Sequence, residues 1–156
     1  MKTVLLLRHA IAANDPDDQK RPLTVHGQHQ ATSIGRWMAK HFVPIDAIFS
    51  SSAKRARLTA EICAEAAGLD LEVSLSDDLY DADAGAYLEA IKGLTDDIRS
   101  VLFVGHNPEI SGVATLLTGE SVAMGNAVLV SINLPITSWA DVQERVGELD
   151  QVIAPV

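Results

Sequence analysis

Arg8 and His9 stand side by side where one apolar run stops, and His106 stands where another stops. A neutral imidazole can attack phosphorus in line and carry the phosphoryl group as phosphohistidine, which splits one difficult transfer into two easier steps. Guanidinium groups neutralise and orient such a group through charge-assisted, often bidentate hydrogen bonds. Phosphoryl transfer asks mainly for positioning and for stabilisation of the equatorial oxygens, so cations can take the place of a metal. A second cation comes from Lys54, Arg55 or Arg57. Arg55 falls in the first turn of an expected helix, where the macrodipole disfavours a cation unless an anion is bound beside it. Composition alone leaves the three open. His106, if protonated, supplies one more hydrogen bond. A single histidine after a strand is usually a loop or capping residue; two of them, one with Arg directly before it, point to chemistry.

The elements that must hold these residues follow from the pattern around them. Thr3 to Ala10, TVLLLRHA, and Ser100 to Val104, SVLFV, are short apolar runs without helical spacing, which suits strands buried on both faces of a parallel sheet. Ligands of open α/β sheets bind beyond the carboxyl ends of the strands, and both histidines fall there. Thr24 caps a helix running to about His41, with Ala31, Ile34, Met38 and Phe42 as its buried stripe and His26, His29, Ser33, Arg36 and Lys40 as its polar one. The i, i+3 pair His26 and His29 is therefore read as surface rather than as a metal site. Asp46 to Ser50 is a second strand, Ser51 or Ser52 caps the next helix, and Gly68 ends that helix near Ala67. A weak strand at Leu71–Leu75 precedes an acidic loop in which Leu79 and Tyr80 pack inward. A short helix spans Gly85 to Leu94. After SVLFV, Asn107 is placed as a cap and Pro108 as the first residue of a helix ending near Gly119. Ala127–Leu134 is a strand, Trp139 opens a short helix or turn, and Glu148–Ile153 is a final edge strand. Strands alternating with helices predict a three-layer α/β sandwich with a mainly parallel central sheet.

At 156 residues the chain is expected to form one domain, 1–156, with a substantial core. Its net charge of −9 argues against nucleic acid as partner, so any anionic substrate must be captured by a local positive site working against the overall field. The single Cys63 excludes an intramolecular disulfide and a CxxC site. The start MKTVLLL is cut short by Arg8 and His9 before it makes a signal-peptide core, and no segment is long enough to span a membrane. A cytoplasmic protein is the expectation. The acidic loop from Asn14 to Asp18 does not have the spacing of a calcium-binding loop. Walker A, HExxH and GxSxG motifs are absent.

LLRHA at the start, RPLTVHG at Arg21–Gly27, SSAKRARLT at Ser51–Thr59 and VGHNP at Val104–Pro108 together resemble the histidine phosphatase superfamily. The short length and the RPLT segment are similar to its SixA branch of phosphohistidine phosphatases. The resemblance implies a phosphoglycerate-mutase-like fold, His9 as the phosphorylated nucleophile, Arg8 and Arg55 as holders of the phosphoryl group, and His106 as the residue completing the pocket. It selects Arg55 over its neighbours because Arg55 and Ala56 match the family's Arg-Ala pair, with Thr59 three residues on. Arg21 is a fifth candidate contact. No cofactor and no metal are implied.

Three departures stand out. The superfamily's usual RHG is RHA here, as in the SixA branch. Asn14 is out of register with the Asn of mutase-like members. No Glu stands out as a general acid; Asp78, Asp81 and Asp83 are the candidates. A missing acid is tolerable when the leaving group is a phosphohistidine nitrogen and troublesome for an alkyl phosphate. Without the long insertions of mutase-like relatives, an open pocket is expected to admit a phosphohistidine-bearing signalling or phosphotransfer protein. Small phosphate esters are the alternative substrate. A non-catalytic phosphate-binding module is a third reading, disfavoured because Arg8 and His9 are both present.

Overall fold

The computed structural model describes residues 1–156. Strands β1 (Lys2–Arg8), β2 (Ala47–Ser51), β3 (Val73–Ser76), β4 (Ser100–Gly105), β5 (Leu129–Leu134) and β6 (Glu148–Ile153) form one sheet in the order β3-β2-β4-β1-β5-β6. The pairs β3–β2, β2–β4 and β4–β1 are parallel, while β1–β5 and β5–β6 are antiparallel. Helices α1 (Val25–Lys40) and α2 (Lys54–Ala67) pack on one face, and α3 (Ala84–Lys92) and α4 (Glu109–Thr118) on the other. The expected three-layer sandwich with a sheet parallel at its middle is present. No helix is long and apolar enough to cross a membrane.

The apolar run of β1 is continuous because the strand serves two cores. Val4 and Leu6 enter the cluster under α3 and α4, and Leu5 and Leu7 enter the one under α1 and α2. Each such side chain contributes about 1.5–3 kcal/mol by leaving water. A strand so placed, paired on both sides, fixes the position of Arg8 and His9 at its end. Gly27, in the first turn of α1, lies against the backbone of the segment after β1, and a Cβ there would collide with the Ile11 carbonyl oxygen. Thr24 caps α1 as expected, accepting from the Gly27 amide. The glycine thus seats α1 directly on the loop that follows His9.

Several local expectations are corrected. Phe42 is not part of the α1 stripe: the helix stops at Lys40, Phe42 has φ 51° and is 89 % exposed, and Val43 packs against the core instead. A helical stripe persists only as long as the helix. Tyr80 does not pack inward; its hydroxyl donates to Asp18 at 2.7 Å, while Leu79 alone is buried. Strand β3 lies slightly later than expected, at Val73–Ser76. At α2 neither serine is the cap residue; Ala53 takes that position, and Ser51 Oγ accepts from the Ala53 amide at 3.2 Å. At α4 Pro108 takes the cap position and the helix begins at Glu109. Asn107 is drawn away because its amide donates to the Met124 carbonyl at 2.7 Å, although its Oδ1 still accepts from Ser111.

Candidate active site

Register brings the two histidines together. Strands β1 and β4 are parallel neighbours with Arg8 paired to Gly105, so His9 and His106 are the next residues on adjacent strands. Neighbouring strands lie about 4.8 Å apart. The imidazole centroids are accordingly 5.2 Å apart. Both side chains are nearly buried, His9 at 9 % exposure and His106 at 8 %. The His9 amide donates to the Gly105 carbonyl at 3.0 Å, and the Asn126 side chain and the Ala127 amide donate to the His9 carbonyl. The backbone at His9 has little freedom.

Its ring is equally defined. Nδ1 lies 2.8 Å from the Ala10 carbonyl oxygen, an acceptor only, so Nδ1 carries the proton and Nε2 keeps its lone pair. Burial pushes the His9 pKa down to about 4, against the Ala10 hydrogen bond, and the charges of Arg55, Arg8 and Arg21 push the same way. The imidazole is neutral near pH 7, the state a nucleophile needs.

His106 is held from the other side. Its Nε2 lies 2.8 Å from Ser51 Oγ, at the end of β2. The Ser51 hydroxyl, whose oxygen also accepts from the Ala53 amide, can donate its proton to Nε2, and in that arrangement the His106 proton sits on Nδ1. That Nδ1 is buried and has no partner in the protein. Burial first, and then the charges of His9 and Arg55, lower the His106 pKa to about 3. In that arrangement the neutral ring also offers Nδ1–H, alongside the protonated ring considered from the sequence. Ser51→Ala should lower kcat about tenfold, equivalent to about 1.4 kcal/mol for one lost positioning hydrogen bond. Ser51→Thr, which restores the hydroxyl, should recover most of it, and steady-state kinetics of the pair checks this.

Arg55, 7 % exposed, enters from the first turn of α2. Thr59 ties that turn to the histidine loop, donating to the Arg55 carbonyl at 2.7 Å and accepting from the Ala10 amide at 3.0 Å. The anion that a cation at a helix start calls for is here Asp18, whose backbone carbonyl accepts from Arg55 Nη1 at 2.8 Å and whose carboxylate accepts from Nη2 at 3.2 Å. Asp18 is also bound by Tyr80 and, at 3.4 Å, by Arg21. The Tyr80 hydroxyl foremost, then the charge of Arg55, holds its carboxyl below the usual range. Arg8 Nη1 donates to the Met124 carbonyl at 3.3 Å; Arg8 Nε and Arg55 Nε are buried without partners. Arg21 is turned back toward the loop by a bond from Nε to the Ala13 carbonyl at 3.1 Å.

A cleft of about 380 Å³ opens against Arg55 and His106, and Asp18, Tyr80, Asp81 and Glu109 form its sides. Of the three expected acid candidates only Asp81 lies there. Asp83 caps α3, accepting from the Ala86 amide, and Asp78 lines a neighbouring groove. Asp18, Ser51 and Glu109 escaped the sequence reading. Glu109 had a signal, lying three residues past His106 at a helix start; Asp18 had none, being one of a run of loop acids.

The linked pH dependence has a definite sign. His9 and His106 are neutral when folded but charge near pH 6.5 when unfolded, so the unfolded chain binds more protons below that pH. Stability is fully present above pH 6.5 and declines as pH falls toward 4, with His9 accounting for on the order of 3 kcal/mol. Urea denaturation at pH 7 and pH 4.5 should show that loss, and the His9→Ala protein should lose distinctly less.

The sheet is phosphoglycerate-mutase-like, and its carboxyl edge carries two buried histidines, the buried Arg55 and the half-buried Arg8. The sequence profile of the histidine phosphatase superfamily (branch 1) matches residues 4–101, and the chain belongs to that family. Uncharacterised proteins of Mycobacterium leprae and Mycobacterium tuberculosis are similar, at 31 % identity over 79 % of this chain and 74 % of theirs, and at 32 % over 88 % and 92 %. Among solved structures, the putative phosphohistidine phosphatase SixA of Nakamurella multipartitia superposes with a TM-score of 0.85 at 27 % identity, covering 99 % of this chain and 96 % of that one. The putative SixA of Agrobacterium tumefaciens matches equally, with 99 % and 98 % covered.

Proposed function

We propose that this protein is a phosphatase that works without a metal through a phosphohistidine intermediate on His9 and removes phosphoryl groups from phosphohistidine in a signalling or phosphotransfer protein. Family membership and the SixA-like neighbours support a phosphatase. The observation that carries the mechanism is the His9 ring: neutral, with Nδ1–H spent on Ala10 and the Nε2 lone pair free.

In the first step the Nε2 lone pair forms a bond to phosphorus while the bond to the leaving nitrogen breaks. The electron pair returns to that nitrogen. When the second nitrogen of the substrate imidazole already carries a proton, the leaving group departs as neutral imidazole and no general acid is required. Arg8 and Arg55 orient the transferring oxygens, and the His106 Nδ1–H donates to one of them. In the second step water attacks phosphorus, the pair returns to Nε2, the water's proton passes to solvent, and inorganic phosphate leaves. Arg55 must exchange its bond with the Asp18 carboxylate for one to the phosphoryl group.

Esters of alcohols are the second reading. It is favoured by Asp81 and Glu109, two carboxyl groups in the cleft that could protonate a departing alkoxide. The deciding experiment presents a phosphohistidine-bearing protein and a set of small phosphate esters to the purified protein in EDTA, with alkaline quenching to trap the labelled enzyme. Preferred turnover of the phosphohistidine protein with label on His9 is expected. Label on another residue, or turnover lost to EDTA, overturns the mechanism; preference for esters overturns the substrate.

A further inference from the structure

The cleft beside Arg55 and His106 does not include His9 among its walls. An in-line displacement places the leaving group opposite the nucleophile, with the transferring phosphoryl group between them. Arg55 and His106, both buried, are the deep walls of this cleft, and on the phosphatase reading the phosphoryl group lies against them. What lies further out, between Asp81 and Glu109, is the space for the leaving group.

The charge around that space is one-sided. Asp18 is compensated by Arg55 and Arg21, whereas Asp81 and Glu109 take part in no ion pair. Arg55 is the only cation on the cleft's walls, and the phosphoryl group would use it. Lys20, Lys54 and Arg57 line a separate cleft that shares no residue with this one. Glu109 sits in the first turn of α4, at the side of the cleft. The chain's net charge of −9 adds to the same field. An anionic leaving group entering here meets two uncompensated carboxylates; a cationic one is attracted by both.

On the phosphatase reading given above, the geometry points to Asp81 and Glu109 as a charge filter that selects phosphoryl donors with an uncharged or cationic leaving group and rejects those bearing carboxylates or further phosphates. An imidazolium-borne phosphoryl group flanked by neutral or basic residues passes the filter. A phosphorylated hydroxy acid does not. The filter deepens the proposed substrate class from the charge of the cleft alone, independently of which residue is phosphorylated during turnover.

The test uses three aryl phosphates: 4-nitrophenyl phosphate, 4-carboxyphenyl phosphate and 4-(trimethylammonio)phenyl phosphate. In the unmodified protein kcat/KM should be higher for the cationic than for the carboxylated compound. Asp81→Asn with Glu109→Gln should shrink that ratio about tenfold to a hundredfold, with added salt shrinking it in the unmodified protein as well. A general-acid role for either carboxyl would lower both rates together; the filter moves their ratio. If 4-nitrophenyl phosphate turns over but the ratio is unaffected by the double substitution, the filter is wrong and the phosphatase reading stands. If none of the three, nor the phosphohistidine protein, turns over, the phosphatase reading itself fails. Asp81→Lys alone, at an exposed position, provides a check that leaves the half-buried Glu109 in place, and it should raise kcat/KM for the carboxylated substrate selectively.

Discussion

His9→Ala should reduce turnover at least about a thousandfold while leaving the protein folded. The expectation rests on what the ring does and on what holds it. The nucleophile in a two-step transfer cannot be replaced by water, because the remaining arginines then bind the phosphoryl group with nothing placed to attack it. Folding should survive because the contacts around His9 are mostly made by its backbone: the amide on Gly105 and the carbonyl on Asn126 and Ala127 are untouched by truncating the side chain. The same substitution removes a buried imidazole that must stay neutral, so the variant should resist acid better than its parent. Circular dichroism and denaturation report the fold, and loss of trapped phosphoenzyme reports the chemistry. Retained turnover in a folded His9→Ala protein would contradict the covalent mechanism.

Arg55→Ala should cost about a hundredfold to a thousandfold in kcat/KM, divided between weaker binding and slower transfer. Arg55 is expected to act in both because it is buried, lines the same cleft as His106, and offers a planar fork to the transferring oxygens. Removing it also strands Asp18, which would then face the phosphoryl group without its main counter-charge. Some of the loss would therefore be repulsion. Arg55→Lys keeps the charge and loses the fork, so it should recover binding more than transfer. The double substitution Arg55→Ala with Asp18→Asn should be better than Arg55→Ala alone if repulsion contributes. Equal kcat/KM for those two proteins would show that Asp18 does not reach the phosphoryl group.

The sequence by itself determined the parts of this protein that are written locally. Two-sided burial of a strand demands a continuous apolar run, so β1 and β4 and their polar ends are visible without coordinates, as are the caps at Thr24 and Gly68 and the final strand at Glu148–Ile153. The pairing of Arg8 and His9, the histidine after the second run, and the segment around Arg55 were recognisable for the same reason: each is a short stretch of chain whose residue types are unusual where they stand. The charge conflict of an arginine at a helix start could be read as well, and in the folded chain the carboxylate of Asp18 lies beside it.

Which anion meets it, and what the ring of His106 meets, was decided only by tertiary structure. Asp18 is one acid in an exposed acidic loop, indistinguishable from Asp15 or Asp17 until the fold brings it against Arg55 and Tyr80. Ser51 reads as a helix cap because a serine before a helix usually is one; its hydroxyl turns to His106 only because β2 lies beside β4. Phe42 fits a helical stripe by spacing alone and is lost from it because the helix ends two residues earlier. The His9 tautomer is set locally, by the Ala10 carbonyl next in the chain, whereas the ring of His106 meets Ser51 from the neighbouring strand, and the lowered pKa values of both depend on burial created by the whole sheet and both helix layers. Local spacing encodes which side chains are available, whereas charge state and direction arise from neighbours distant in the chain, which exist only once the strands have paired.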